Sequence, residues 1–390
     1  MKLVIVAGAR PNFMKVAPIM WEISRRPGLV GYLVHTGQHY DQKMSQLFFE
    51  QLKIPKPDVD LGVGSGSHAV QTAEVMKRFE PVLLDQRPDV VVVVGDVNST
   101  LACALTAVKL GIPVAHVEAG LRSFDRTMPE EINRILTDAI SQWLFVSEPS
   151  GMENLIGEGV TADRLFFVGN VMIDTLLHCR EISERSTILE SLGLKKMGYA
   201  VLTLHRPANV DDPAVFQGLL KALQRLQGEL PIIFPVHPRT RRVLDAHDFA
   251  SMPNLKVIDP LGYLEFMKLL SHARLVLTDS GGIQEETTVL GVPCLTMRNN
   301  TERPVTVTEG TNTMVGLDPE RIISCGLRSL AVTLTKGRVP DLWDGKAAAR
   351  VLDVLQNRSS TVSPGTLNLH ARQELTPDRT CPQPLSVGRA

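Results

Sequence analysis

Cysteine is scarce in this chain. Its five copies, Cys103, Cys179, Cys294, Cys325 and Cys381, are odd in number and scattered, with no C-x-x-C pair. That pattern argues against a disulfide framework and a zinc knot, and a reducing, cytoplasmic setting fits it best. Net charge is nearly absent as well: 41 Lys and Arg against 42 Asp and Glu leave −1. No basic surplus advertises nucleic acid or an anionic membrane, so any anion site must be local. Long apolar runs are missing, none approaching the roughly 20 residues of a membrane span. The opening M-K-L-V-I-V-A-G-A-R is too briefly apolar before Arg10 for a signal sequence and reads as a first strand. Apart from H-T-G-Q-H at a strand end, no His-x-x-x-His or clustered ligand set is present, so no catalytic metal is expected.

What the chain does have is alternation. Its 390 residues, 44% hydrophobic and 21% charged, exceed what one core usually holds, so two domains are expected. Leu3 to Ala7 is a continuous apolar strand, followed by the Gly8-Ala9-Arg10-Pro11 turn and a helix from about Asn12 to Arg25. Leu33 to His35 repeats the pattern, with Thr36-Gly37-Gln38-His39 at its end and a helix near Met44 to Leu52. The consecutive valines Val90 to Val94 read as a central parallel strand buried on both faces. Helix Thr100 to Leu110, strand Val114 to Val117, helix Pro129 to Ser141 and strands Leu144 to Val146 and Phe166 to Val168 complete a first series. Ala200 to Leu204, Ile232 to Pro235, Lys256 to Ile258, Leu275 to Leu277 and Cys294 to Met297 are the strands of a second. Two such series predict an α/β fold of two Rossmann-like, doubly wound domains, 1–170 and 171–356, facing a cleft. Ligands of such sheets sit at the carboxyl ends of the strands. Residues 357–390, rich in Pro, Ser and Thr, read as a disordered tail.

The polar motifs fall where strands end. V-L-T-D-S-G-G-I-Q-E-E-T-T-V-L-G-V-P, Val276 to Pro293, reads as strand, glycine turn and helix, with Gly281 and Gly282 free to take positive φ. The N–H groups of Ser280, Gly281 and Gly282 would offer a phosphate seat, and Glu285 and Glu286, one turn further on, a carboxylate for a ribose diol. An ordinary capped helix with acids in its first turn explains the same spacing. Gly8 to Lys15 lacks the second glycine of a P-loop, yet Arg10 and Lys15 are placed to clamp a phosphate, unless they are simply solvated. Asp96 of G-D-V-N-S-T and Glu118 of H-V-E-A-G-L-R end successive strands, with Arg122 a candidate partner for Glu118. Glu130 opens the helix of P-E-E-I-N-R. Singly these read as a cap, a paired carboxylate and helix-start chemistry. Three acids converging from successive strand ends are what general acid/base work demands. His205 of H-R-P-A-N and His237 of F-P-V-H-P each follow a strand beside an arginine, as phosphate contacts or structural hydrogen-bonders. Arg298 to Pro304, just past the strand Cys294 to Met297 and holding Arg298 and Arg303, returns another arginine to the same rim.

The ordered set G-A-R-P-N-F-M-K, H-T-G-Q-H, G-D-V-N-S-T, H-V-E-A-G-L-R, P-E-E-I-N-R, H-R-P-A-N, F-P-V-H-P, D-S-G-G-I-Q-E-E and T-E-R-P runs from Lys2 to about Leu355. It closely resembles the non-hydrolysing UDP-N-acetylglucosamine 2-epimerases. The resemblance implies a GT-B fold whose last helix crosses back onto the first domain, a UDP-sugar substrate and a homodimer. It also implies no metal or nicotinamide cofactor, and a supply of activated amino sugar for cell-surface polysaccharide. The implied reaction interconverts UDP-GlcNAc and UDP-ManNAc by eliminating UDP to 2-acetamidoglucal and adding it back. Asp96, Glu118 and Glu130 match the family's acids, and His205 its histidine near the diphosphate. Arg10, Lys15, Ser280, Gly281, Gly282 and Arg303 match diphosphate-binding positions, Glu286 the ribose acceptor and Phe266 a residue at the uracil. Gln42 and Gln46 lie in the helix where some members bind an activating second UDP-GlcNAc. Members usually show Thr, Glu and Glu where this chain has Ala9, Asn12 and Ala208. G-A-R-P and H-T-G-Q-H-Y-D resemble the branch acting on UDP-2,3-diacetamido-2,3-dideoxyglucuronate, which leaves the substituents at C3 and C6 open. A GT-B glycosyltransferase is the rival reading of the fold and the glycine turn.

Overall fold

The computed structural model describes residues 1–37, 49–236, 240, 241, 244, 251–332 and 337–359. Gln38, His39, Gln42, Gln46, most of the expected helix near Met44, His237, Arg239 and the tail from residue 360 lie outside the described residues.

Seven parallel strands form the first sheet: β1 (Lys2–Ala7), β2 (Val30–His35), β3 (Val59–Asp60), β4 (Val90–Val94), β5 (Val114–Ala119), β6 (Trp143–Val146) and β7 (Leu165–Phe167), in the order β3-β2-β1-β4-β5-β6-β7. The valine run is β4, buried throughout. Its period of two sends Val90, Val92 and Val94 into one core and Val91 and Val93 into the other. Helix α1 (Arg10–Ser24) covers the first of these faces; α2 (His68–Gln86) and α3 (Asn98–Lys109) cover the second. Helix α4 (Pro129–Ile140) joins β5 to β6, and α5 (Pro149–Gly157) follows β6. The strand order reverses between β1 and β4, which puts the crevice of the sheet over the turns after those two strands. Asn12 ties the two turns together. Its Oδ1 accepts from the Gly8 and Ala9 N–H groups at 3.0 and 2.9 Å while its Nδ2 donates to the Val94 carbonyl at 3.2 Å. A glutamate here could accept but not donate.

The second sheet has six parallel strands: β8 (Ala200–Thr203), β9 (Ile232–Pro235), β10 (Leu255–Ile258), β11 (Leu275–Thr278), β12 (Cys294–Thr296) and β13 (Asn312–Met314), in the order β10-β9-β8-β11-β12-β13. Two parallel sheets with interleaved helices are the expected α/β architecture. The outer strands β3 and β13 and the helix α2 are additions to the sequence reading. Two or three residues at a sheet edge carry no readable period. The α2 stripe Gln71, Val75, Phe79 and Leu83 is interrupted by polar neighbours and Pro81.

Helix α6 (Val171–Ser183) links the sheets, and α7 (Pro213–Leu226), α8 (Tyr263–Ser271), α9 (Gly281–Leu290) and α10 (Pro319–Ala331) serve the second. The last described helix, α11 (Ala347–Ser359), returns to the first half. Ala347, Val351, Leu352 and Leu355 share one core with Phe13, Val16 and Ile23 of α1. Asp174 of α6 accepts from the Ala347 and Ala348 N–H groups at 3.1 and 2.8 Å, satisfying the start of α11. No helix of the described residues is long and apolar enough to cross a membrane.

Candidate active site

Glu118 stands where β5 breaks register with β6. Val117 pairs with Phe145 and Ala119 with Val146, so Glu118 is the extra residue of a bulge, at φ +74°. A bulge re-aims a side chain, and a positive φ on a side-chain-bearing residue costs on the order of 1–3 kcal/mol unless its surroundings hold it. Gly120, two residues on, is held at φ +82° with a Cβ position blocked by the Gly151 carbonyl, so only glycine fits there. The buried Glu118 carboxylate meets Lys15 Nζ at 2.6 Å on one oxygen and Arg303 Nη2 at 3.0 Å on the other. Lys15 comes from α1 and Arg303 from beyond β12. The contact therefore joins the two halves of the chain.

Arg303 also reaches the glycine turn. Its Nη1 lies 2.5 Å from where a Cβ on Gly281 would stand, and Gly282 packs against the Met172 side chain. These glycines are the first two residues of α9 and have no positive φ. The expectation of a left-handed turn is corrected: Gly281 is required by the close approach of Arg303, and neither glycine by backbone conformation. The Ser280 N–H, expected to be free, is accepted by Thr278 Oγ1 at 3.0 Å, which leaves the glycine N–H groups as the outward donors of the helix start. Glu285 Oε1 lies 2.8 Å from Arg303 Nε, poorly aligned for a hydrogen bond. Burial pushes the Glu285 carboxyl up to about 7, with Arg303 opposing and Glu118 reinforcing. Glu302, 3.3 Å from Arg303 Nη1 and 2.6 Å from Arg298 Nη2, goes the other way; those cations outweigh burial and hold it far below the carboxylate range. Glu286 is buried, accepts from Tyr263 Oη at 3.2 Å, and is pushed up to about 7 by burial. Phe266 is half-buried on α8.

His205 is half exposed, with Nδ1 2.7 Å from Asp279 Oδ1. Asp279 is fully buried and also accepts from the His205 and Arg206 N–H groups and from Asn209 Nδ2, at 3.0, 2.9 and 3.2 Å. Burial would raise its carboxyl, but His205 and these N–H donors hold it below the usual range. Read in sequence as a turn residue, Asp279 is the group that fixes the His205 ring through Nδ1.

Asp96, about a quarter exposed, meets Arg134 Nη1 at 2.5 Å. Burial would raise it; Arg134, then Lys15 and Arg303, outweigh that and keep it ionised. Arg134 in turn lies 3.9 Å from Glu302. Asp96, Glu118, Lys15, Arg303 and Gly281 are thus one assembly. Glu130, in the first turn of α4, joins none of these ion pairs; its charge bears on Arg206. Arg122 is not the partner of Glu118, which corrects the sequence reading: it pairs with Asp138 at 2.7 Å and with both oxygens of Glu158. Nothing is described of the Arg10 side chain. Arg134 and Asp138 lay within reach of sequence reasoning, since with Glu131 they share one face of α4 at helical spacing. A cavity of about 1250 Å³ opens elsewhere, between α1, β2 and Phe49, and its lining includes none of Asp96, Glu118 and Glu130.

A model of the UDP-N-acetylglucosamine 2-epimerase family matches residues 21–356. The UDP-N-acetylglucosamine 2-epimerase of Methanocaldococcus jannaschii is 42% identical over 366 residues, covering 91% of this chain and 99% of that protein. The UDP-2,3-diacetamido-2,3-dideoxy-D-glucuronate 2-epimerase of Pseudomonas aeruginosa is 42% identical over 360 residues, covering 91% and 99%. The crystal structure of the M. jannaschii UDP-GlcNAc 2-epimerase in complex with UDP-GlcNAc and UDP superposes with a TM-score of 0.86 at 41% identity, over 92% of this chain and all of that one. The two facing parallel sheets are accordingly those of the GT-B-like epimerases. With an acid-bearing first sheet joined through Arg303 to a glycine-started helix on the second, and with matches spanning nearly the whole chain, this protein belongs to the UDP-N-acetylglucosamine 2-epimerase family.

Proposed function

We propose that the protein is a non-hydrolysing 2-epimerase that interconverts UDP-GlcNAc and UDP-ManNAc. The observation that carries this reading is the meeting of Glu118 with Lys15 and Arg303 beside Gly281, which sets a carboxylate next to the cations suited to a diphosphate. The hydrogen on C2 of the sugar is not adjacent to a ring carbonyl, so its direct removal is too costly. Departure of UDP from C1 solves the problem. A carboxylate takes the C2 proton, the C1–O bond to UDP breaks, and C1=C2 forms as 2-acetamidoglucal. UDP then adds back to C1 as a proton reaches the opposite face of C2. Asp96, kept ionised by Arg134, and Glu118 are the acids nearest that chemistry, and Glu130 completes the set from the first turn of α4. Lys15, Arg303 and the Gly281 and Gly282 N–H groups hold the diphosphate, with Arg10 the further cation of the set. His205, oriented by Asp279, serves the departing phosphate oxygen. Glu286 receives the ribose and Phe266 the uracil. The reading extends to a homodimer, which light scattering tests.

The deciding experiment incubates the protein with UDP-GlcNAc in D2O. UDP-ManNAc carrying deuterium at C2 is expected by NMR; free ManNAc, or nucleotide affinity without exchange, would overturn the reading. Asp96→Asn and Glu118→Gln are expected to abolish turnover while UDP binding is largely retained; equal loss of both would assign these acids to the fold. The equal similarity to a diacetamidoglucuronate epimerase supports a second substrate reading. Parallel assays with the two UDP-sugars decide between them.

A further inference from the structure

Helix α4 buries Glu131, Arg134 and Asp138 on one face, spaced i, i+3 and i+7. Arg134 serves Asp96 directly, and Glu131 accepts the Ser123 and Phe124 N–H groups at 2.9 Å each. Asp138 touches neither acid, yet its contacts lead to both. Its Oδ1 lies 2.6 Å from His116 Nδ1, and the Nε2 of that ring meets the Gly95 carbonyl, which can only accept, at 2.8 Å. Gly95 precedes Asp96, and its own N–H donates to the Val117 carbonyl at 3.0 Å. Asp138 Oδ2 accepts from the Gly120 N–H at 3.1 Å and is ion-paired with Arg122 Nη1 at 2.7 Å, two and four residues past Glu118. His116 and Asp138 are 0% and 1% exposed on their side chains.

We infer that Asp138 is a positioning residue for the epimerisation, holding the strand-end turns that carry Asp96 and Glu118 in one mutual register; this rests on the function proposed above. A cluster kept only for stability gains little from burying a carboxylate, a guanidinium and an imidazole where apolar side chains of like volume would serve. This one spends its bonds on loop backbone at the two acids. Burial raises the Asp138 carboxyl, but His116 and Arg122 outweigh it and keep it below the usual range, so it stays an acceptor. The bulged Glu118 backbone needs such a holder. Released, it relaxes toward ordinary strand geometry and the carboxylate leaves its line to C2.

The test compares Asp138→Asn and His116→Gln with the wild type for kcat, KM, UDP affinity, C2 deuterium exchange and Tm. The second variant keeps the Asp138 contacts with Arg122 and Gly120, and answers the question should the first fail to fold. Expected is a fall in kcat of about 10- to 100-fold, as misplacement of reacting groups by up to an ångström produces. Exchange at C2 should slow in parallel, while UDP affinity stays within about threefold. Folded variants with lower Tm but wild-type kcat would overturn the inference, as would parallel loss of kcat and UDP affinity. A wild type inert toward UDP-GlcNAc would sink the functional reading itself, and that control is separate from any variant.

Discussion

Two carboxylates and two adjacent glycines summarise how local environment assigns tasks to residues of one type. Glu302 and Glu285 both touch Arg303, yet one is held far down by added arginines and the other is lifted to about 7 by burial. Gly281 and Gly282 differ as sharply. A Cβ on Gly281 would meet the Arg303 guanidinium at 2.5 Å, and that guanidinium is walled in by Glu118 and Glu285; a Cβ on Gly282 meets the flexible end of Met172 at 3.2 Å. Gly281→Ala is therefore expected to weaken UDP binding about tenfold or more, and Gly282→Ala much less, by titration calorimetry. Glu286 carries a pH signature. Its folded pKa near 7 lies above the unfolded value of about 4.5, so its contribution is fully present below pH 4.5 and lost as pH rises through 7. The span corresponds to about 3 kcal/mol at most. Glu286→Gln should shrink the stability gap between pH 5 and pH 8 in denaturant titrations; an unchanged gap would mean the carboxyl is not strained by burial.

At the level of elements, α4 is the part that organises the acids, since one buried face addresses the turns after β4 and β5 at once. That role is written in its spacing, although Glu130, the residue of this helix singled out in sequence, is the one that stands outside the ion pairs. Helix α11 is the complementary case. Its start is satisfied by Asp174 from α6, and Arg26 Nη1 meets Asp353 Oδ1 along its length at 2.7 Å. Asp174→Ala leaves two N–H groups of a buried helix start without their acceptor and is expected to cost about 1–2 kcal/mol. Thermal unfolding would register it as a lower Tm, with UDP affinity unchanged because neither Asp174 nor α11 supplies a partner to Arg303.

For the whole molecule, the Glu118–Arg303 ion pair spans 185 residues of sequence and links an acid of the first sheet to the glycine-started helix of the second. Breaking a buried pair on one side typically costs 2–5 kcal/mol. Arg303→Met should thus lower UDP affinity by roughly 100-fold or more and raise the radius of gyration seen by X-ray scattering in the absence of UDP. An unchanged radius would assign the joining of the halves to α6 and α11 alone.

The architecture was legible because strands buried on both faces have no choice but an unbroken apolar run, as in Val90 to Val94, and because glycines and polar residues gather where such strands end. Composition, scarce cysteine and the ordered motifs were equally local properties, readable one window at a time. The partners were not. Arg122 lies four residues from Glu118 in the chain and binds Asp138 and Glu158 instead; Arg303, far away in sequence, takes its place. Spacing along a chain says which residues share a face or a turn, but which charges meet across a crevice is decided when the two sheets pack, because burial makes an unpaired charge too costly and leaves only the pairings the packed geometry allows.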